Sequence, residues 1–575
     1  MADDNPHSRQ AVESRPSTGE IVSALAERAK LNLSEAEHER LSEYVVDSWD
    51  MADRLRDVSS PGYEGVAADL PRRAAYSTRE PVQAEGASPQ ESSRLVGRPQ
   101  PIPPAALEGG LVEVSTAMEA GEYTPLDLVN AQLERIARFD QAVRSYITVD
   151  REGALAAATA LSDELAQSGP RSPLHGIPFG AKDSIPAAGM VCTFNSPLMK
   201  DWRPKRDAEA IRRMRAAGAV LVGKHNLNEF GWSLPREDDL APPPHNPWLP
   251  EEYSVGSTSG GGAAVAARLA MFALGTDGGG SVRLPAGQHS LFGVKPGHRR
   301  VPPEGVTDGR VSEVSVLARA AEDAADVLAA LLIDPDGDDS RQRMREEPNA
   351  WIEHVRAAPT GLRIAVPEGY IGDVGMEPDI QRAFESTLRV ITELGHEVVK
   401  LPRPTLNILH DGVRANFVVI AAEHYFDHEG PGKDRGRYGA SAGFYNLPGA
   451  FLSAADYLHA LRVGELVRQQ VDEVLADADM ILTPTSPVTR TTTARNPKTH
   501  RRGGNAAYTS PFNISGHPGV ALPVGLSSEG MPIGMQLIGR TDSEFDLLRA
   551  ARAISGSFSL PAFPDLEGLT SRVRG

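Results

Sequence analysis

The sequence predicts an α/β catalytic domain, a sheet covered by helices on both faces, preceded by a small helical hairpin. Three observations lead there. From about residue 106 onward, amphipathic helical segments alternate with short apolar runs, the pattern of a helix-flanked sheet. Residues 19–57 show helical periodicity instead. Between these regions, residues 58–105 show no period. Pro61, Pro71, Pro81, Pro89, Pro99, Pro101, Pro103 and Pro104 punctuate a polar stretch that reads as an extended linker.

Taken in order, residues 1–18 form a polar tail. In the hairpin, Ile21, Leu25 and Ala29 share a face, and Leu31 and Leu33 close the first helix. Ser34 with Glu37 three positions later reads as a capping box that opens the second helix. That helix carries Leu41, Tyr44, Val45, Trp49, Met51 and Leu55. Two helices bury little by themselves, so the hairpin is expected to dock on another surface. In the catalytic domain, 106–575, segments 126–139, 208–217 and 377–394 read as amphipathic helices. Segments 220–222, 362–366, 396–401, 481–482 and 520–522 read as strands, and 404–475 as mainly helical. There is no internal repeat.

Composition narrows the function. Asp and Glu outnumber Lys and Arg 77 to 59, giving a net charge of -18. Such a chain repels phosphate backbones, so a nucleic-acid partner is not expected without a basic patch. The short basic run 498–502 reads as a solvated loop. The single cysteine, Cys192, leaves no intrachain disulfide and fits a reducing compartment. The start MADDNPHSRQ lacks the features of a signal peptide. The longest apolar stretch, 263–274, is interrupted by Arg268 and is too short to span a bilayer. A cytoplasmic location and no membrane partner are therefore expected. Glycosylation-like triplets at Asn32 and Asn513 carry no meaning in that setting.

Three segments suggest chemistry. The first, His175-Gly-Ile-Pro-Phe-Gly-Ala-Lys182-Asp183, ends an apolar run on a lysine. The second, Gly256-Ser257-Thr258-Ser259-Gly260-Gly261-Gly262, holds only glycine and hydroxyl residues. In the third, Gly275-Thr276-Asp277-Gly278-Gly279-Gly280-Ser281-Val282-Arg283-Leu284-Pro285, a serine follows three glycines. Unhindered amides beside a serine can converge on a developing oxyanion. An alcohol needs a positioned base to act as a nucleophile. A lysine serves only when neutral, so burial must bring its pKa down from about 10.4, at about 4 kcal/mol of differential stabilisation. A second hydroxyl between the two can relay the proton. Either glycine–serine cluster alone reads best as a turn. Together, each is followed by apolar sequence, at 263–267 and 291–294, so neither belongs to a loose tail.

These residues resemble the amidase signature family. Its glycine- and serine-rich signature is similar to 256–285, and its lysine segment to 176–183. The spacings of 75 residues from Lys182 to Ser257 and 24 from Ser257 to Ser281 also match. The resemblance continues through Gly223-Lys-His-Asn-Leu-Asn-Glu-Phe230, His245-Asn-Pro-Trp248, Gly293-Val-Lys-Pro296, Leu482-Thr-Pro-Thr485 and Pro532-Ile-Gly-Met-Gln-Leu-Ile538. It covers about 106–555 and implies the family's fold, a central mixed sheet flanked by helices.

It also implies roles. Ser281 would form the acyl-enzyme, Lys182 would be the base, and Ser257, on a cis peptide bond, would bridge them. Gly278, Gly279 and Gly280, with Ser281, would supply the oxyanion amides. Asp277 and Arg283 would support them, and Thr258 would place a hydroxyl near the lysine. No metal or cofactor is implied. The sequence departs from the family pattern at Thr258, Ser259, Gly278 and Gln288-His-Ser290, without loss of a reacting group. Residues 19–57 are similar to the small C subunit of tRNA-dependent amidotransferases.

Other motifs carry less. Gly439-Ala-Ser441-Ala-Gly443 has the spacing of a nucleophile elbow but no strand before it. Segment 218–225 nearly matches a phosphate loop, but its interior is an apolar strand. Cys192 lacks an activating partner, and His289 reads as structural. The expected function is hydrolysis of a small-molecule amide, or of an ester, hydrazide or carbamate. One rival is an amidotransferase A-type subunit supplying ammonia to a partner. Another is a non-catalytic scaffold on the same fold. Specificity is expected from 404–475, including Phe417, Tyr425, Tyr438, Phe444 and Tyr445. Fusion of the hairpin would also suit a homodimer.

Overall fold

The computed structural model describes residues 99–306, 309–332, 350–429, 438–439, 442, 447–490, 504–560 and 563–574, with scattered positions between 19 and 42. Most of the expected hairpin, the linker up to residue 98, the basic run 498–502, Ser441, Gly443, Phe444 and Tyr445 lie outside the described residues.

The described strands form one mixed sheet. They are β1 (Tyr146–Val149), β2 (Pro178–Lys182), β3 (Val220–His225), β4 (Phe272–Asp277), β5 (Phe292–Lys295) and β6 (Glu313–Ala318), then β7 (Arg363–Val366), β8 (Glu397–Lys400), β9 (Met480–Pro484), β10 (Gly519–Leu526) and β11 (Pro532–Ile538). Their spatial order is β1-β3-β2-β4-β6-β5-β10-β11-β9-β7-β8. β2 runs parallel to both β3 and β4, and β7 runs parallel to β8 and β9. The pairs between these two parallel groups are antiparallel.

Both faces of the sheet are covered. Successive side chains on a strand point to opposite faces. Val220 and Val222 of β3 and Ala273 of β4 join one hydrophobic cluster. Leu221, Phe272 and Leu274 join the other. The fold class read from the sequence is the one observed, and the strands expected in the catalytic region, with helices 126–139, 208–217 and 377–394, form within a few residues of their expected ends.

The helices that matter below are α1 (Leu111–Glu119), α2 (Pro125–Val143), α3 (Ser259–Ala266), α4 (Arg283–His289), α5 (Ala321–Leu331), α6 (Leu409–Glu429) and α7 (Ala454–Asp477). α2 shows how the sequence sets such a helix. Thr124 Oγ1 accepts from the Asp127 N–H at 3.2 Å, and Asp127 Oδ2 accepts from the Thr124 N–H at 2.9 Å. Pro125 fits the first turn, where its missing N–H costs nothing. Leu126, Val129, Leu133, Ile136 and Phe139 then recur at helical spacing and are all buried.

The apolar stretch 263–274 is not one element. Arg268 takes a left-handed conformation, φ 57°, and the Leu269 N–H bonds back to Ala264 O at 2.7 Å. That is the geometry of a helix C-cap. α3 therefore ends and β4 begins within one apolar run. Among the described residues, no helix is long and apolar enough to cross a membrane.

Candidate active site

The site lies where two adjacent parallel strands end, as is common for α/β sheets. Ala181 of β2 pairs with Leu274 of β4. One step further, Lys182 ends β2 beside Gly275 and Thr276. Its side chain is buried, with 1% exposure. Nζ donates to Ser257 Oγ at 2.8 Å and to Thr276 Oγ1 at 2.6 Å. The Gly256–Ser257 peptide bond is cis, as the family resemblance implied.

Thr258 was expected to place a hydroxyl near the lysine; its Oγ1 donates to the carbonyl of Thr276 at 3.4 Å, the residue whose own hydroxyl accepts from Lys182 Nζ. Strand pairing brings Thr276 there. Thr258 also has a structural part. Its N–H donates to Ser281 O at 3.1 Å and so ties the two serine segments together.

Ser281 follows a tight turn leaving β4 and stands just before α4. Asp277 organises that turn. Its Oδ1 accepts from the Gly280 N–H at 2.7 Å, and its Oδ2 accepts from the N–H groups of Val282 and Arg283, each at 3.2 Å. Arg283 returns a two-pronged pair, Nε to Oδ2 and Nη2 to Oδ1, each at 3.0 Å. Asn513 Nδ2 donates to Oδ1 at 3.0 Å. Burial alone would push the Asp277 carboxyl up, but the Arg283 charge and these hydrogen bonds hold it well below the usual range. Arg283 is held in turn by Gln536 Oε1 at 3.0 Å and Asn513 Oδ1 at 2.6 Å.

This turn also corrects the expected amide donors. The Gly280 N–H is already bound to Asp277, so it does not face an incoming oxyanion. No hydrogen bond among the described residues occupies the N–H of Gly278, Gly279 or Ser281. Gly280 has φ 122°, and Thr509 lies where a side chain would go, so only glycine fits there.

A third segment closes over the lysine. At Gly231, φ 73°, a Cβ would stand 3.3 Å from both Lys182 Nζ and Ser257 Oγ. Its two neighbours present aromatic rings. Phe230 packs on Phe194 and Tyr438, with each pair of centroids 5.6 Å apart. Trp232 meets Phe417 at 5.7 Å and His424 at 5.5 Å, both on α6. Burial and then the nearby Lys182 charge push His424 down to about 4. Tyr425 instead packs over Gly449.

The other candidates resolve simply. His289 is buried between Pro285 O at 2.7 Å and Ser254 Oγ at 2.9 Å, and burial lowers it to about 4. Burial pushes the Cys192 thiol up, which keeps it protonated. The near-phosphate loop is strand β3. Gly439 donates its N–H to Glu229 Oε1 at 2.9 Å. No group of His, Cys, Asp and Glu among the described residues could hold a metal. Sequence reasoning gave no role to Thr276, Asn416, Thr509 or Gln536. Asn513 was noticed only as a glycosylation-like triplet, yet it is 4% exposed.

The amidase family matches residues 127–548. The A subunit of the glutamyl-tRNA(Gln) amidotransferase of Roseiflexus castenholzii is 35% identical, over 75% of this chain and 92% of its own. Its counterpart in Desulforapulum autotrophicum is 31% identical, over 78% of this chain and 97% of its own. The structure of a peptide amidase from Stenotrophomonas maltophilia superposes with a TM-score of 0.65 at 26% identity, covering 80% of this chain and 99% of that one. With the family matched across most of its length, the chain belongs to the amidase signature family.

Proposed function

We propose that the chain cleaves a carboxylic amide through an acyl-enzyme on Ser281. The observation that carries this reading is the 2.8 Å contact from Lys182 Nζ to Ser257 Oγ, near a serine whose own N–H, like those of Gly278 and Gly279, has no hydrogen-bond partner among the described residues. Ser281 Oγ attacks the carbonyl carbon, and its proton passes through Ser257 to Lys182, which accepts it only in its unprotonated form. The N–H groups of Gly278, Gly279 and Ser281 receive the negative charge on oxygen. The carbon–nitrogen bond breaks as Lys182 returns the proton, through Ser257, to the leaving nitrogen. Water then cleaves the acyl ester by the same path and restores Ser281.

The fate of the released nitrogen divides two readings. In one, the chain passes ammonia to a partner. Its support is the stronger, since both relatives named above belong to amidotransferases and are matched over nearly their whole length. In the other, the chain is a free-standing hydrolase of a small amide. Its support is the likeness to a peptide amidase. Assaying the purified chain on glutamine and on simple primary amides separates them. Turnover that requires added protein partners favours the first, and efficient turnover by the chain alone favours the second.

The shared chemistry has its own test. A fluorophosphonate probe should label the wild-type chain at Ser281, and Ser281→Ala should lose both labelling and turnover. Lys182→Ala should lose most of its rate. Near-native kcat in Ser281→Ala would overturn the acyl-enzyme reading.

A further inference from the structure

The turn before Ser281 has a regularity that the roles above do not use. Each of its carbonyls accepts a hydrogen bond. Asp277 O accepts from Asn513 Nδ2 at 2.7 Å, and Gly278 O from Asn416 Nδ2 at 2.9 Å. Gly279 O accepts from Thr509 Oγ1 at 2.7 Å, and Gly280 O from the Leu284 N–H at 2.8 Å. These peptides are trans, since the cis bonds among the described residues are 256–257 and 403–404. In a planar trans peptide the C=O and the following N–H point in opposite directions. A bond that fixes a carbonyl therefore also aims the next N–H, on the far side of the plane.

Asn416 holds the plane that carries the Gly279 N–H, and nothing else among the described residues bonds to that plane. The other planes have further support. Asn513 also bonds Asp277 Oδ1 and Arg283, the Gly280 N–H is fixed by Asp277, and Leu284 belongs to the first turn of α4. Asn416 itself is fully buried, and its Oδ1 has no hydrogen-bond partner among the described residues. A buried amide with one end unsatisfied is poor packing material. Its contact with the turn is the bond to Gly278 O, with Nδ2 lying close above Gly279.

The geometry points to Asn416, on helix α6, as a positioning residue that aims the Gly279 N–H at the oxyanion. This rests on the acyl-enzyme reading above. Asn416 does not touch the reacting atoms. Without it, the 278–279 peptide is free to rotate, and the amide must be ordered during reaction instead of before it.

The test uses the full chain and a primary amide that the wild type turns over. Asn416→Ala and the isosteric Asn416→Asp should each lower kcat by about 10- to 100-fold, less than the roughly 10²–10³ of deleting a donor outright. KM should stay within about twofold in both, since the bond matters chiefly to the transition state. Tm should change little in Asn416→Ala, whereas Asn416→Asp buries an uncompensated carboxyl and should lower Tm, so it is compared on kcat below its own transition. The affinity for the corresponding aldehyde, which forms a tetrahedral adduct on Ser281, should weaken by the same factor as kcat/KM. The pH profile of kcat/KM should keep its midpoint, because the Lys182 contacts are untouched. Thr509→Val should lose less than either, because Asp277 still fixes the plane that Thr509 holds.

The inference is overturned by kcat within twofold of wild type in both Asn416 variants. It is equally overturned by a loss confined to KM with aldehyde affinity unchanged. If Ser281→Ala is inactive while the Asn416 variants are normal, the inference alone fails. If Ser281→Ala retains turnover, the acyl-enzyme reading fails first and takes the inference with it.

Discussion

Asp277, next to the candidate nucleophile, and Asp326, on α5, are both 0% exposed. Asp277 receives six hydrogen bonds from Gly280, Val282, Arg283 and Asn513, two of them from the Arg283 side chain. Neither carboxyl oxygen of Asp326 has a partner among the described residues. Burial and the neighbouring Asp323 push Asp326 well above the usual carboxylate range. Asp323 itself, whose Oδ1 accepts from the Leu111 N–H at the start of α1 at 2.8 Å, is raised by burial to about 6. The same side chain at the same burial is thus a fixed anion in one place and a titrating acid in the other. Compensation decides which, since an interior carboxylate stays charged only where ion pairs and N–H groups replace its lost water. Around the turn before Ser281 that compensation is complete, and it orders the backbone as well as the charge.

The largest effect should come from breaking the compensated set. Arg283→Met leaves Asp277 buried without its cation. Removing one partner of a buried pair costs about 3–5 kcal/mol. Urea denaturation should show a loss of that size, with amide turnover falling as the turn loosens. A loss below about 1 kcal/mol would mean that Asn513 and the backbone amides satisfy Asp277 by themselves.

The next effect has the opposite sign. Asp326→Ala removes a carboxyl whose folded pKa lies above its unfolded value. A raised acid stabilises the fold below its unfolded pKa, and that contribution is lost as pH rises through the folded pKa. At pH 8, well above the unfolded pKa, the wild type carries this burden, so the variant should be more stable by about 1–2 kcal/mol. The gap should close as pH falls toward 4, by at most about 1.4 kcal/mol per pH unit. A variant less stable than wild type at pH 8 would point to an unrecognised partner for Asp326.

The contrast also explains what was legible in the sequence. The meeting of Lys182 with Ser257 could be anticipated because order and spacing along the chain carried it. Thr276 could not, because its place beside the lysine comes from the pairing of β2 with β4. Thr258, whose hydroxyl the resemblance placed near the lysine, donates to the Thr276 carbonyl. The glycines before Ser281 look equivalent in sequence, but a carboxylate three residues upstream claims the N–H of Gly280 alone. Asn416 and Asn513 arrive from segments far along the chain, within a helical run and behind a misleading triplet. The strands and helices were legible because burial enforces their periodicity. Partners that close a polar turn obey no period.

A third buried group sharpens the comparison with the smallest effect. His225 is fully buried at the end of β3, and neither ring nitrogen has a hydrogen-bond partner among the described residues. Its ring packs 4.6 Å from that of Tyr146. Burial, helped by the Lys224 charge, lowers it to about 3, so it stays neutral where Asp277 stays charged. A histidine lowered in the fold costs nothing above its unfolded pKa near 6.5. Below that, the unfolded chain takes up a proton that the folded chain refuses, and stability falls. His225→Leu should therefore lie within about 1 kcal/mol of wild type at pH 8. From pH 6.5 downward it should gain on wild type by up to about 1.4 kcal/mol per pH unit. The His225 and Asp326 variants would then move oppositely against wild type as pH falls, measured on one denaturation series. Parallel slopes would show that a shared titration elsewhere governs both, and that burial without compensation does not set these two groups.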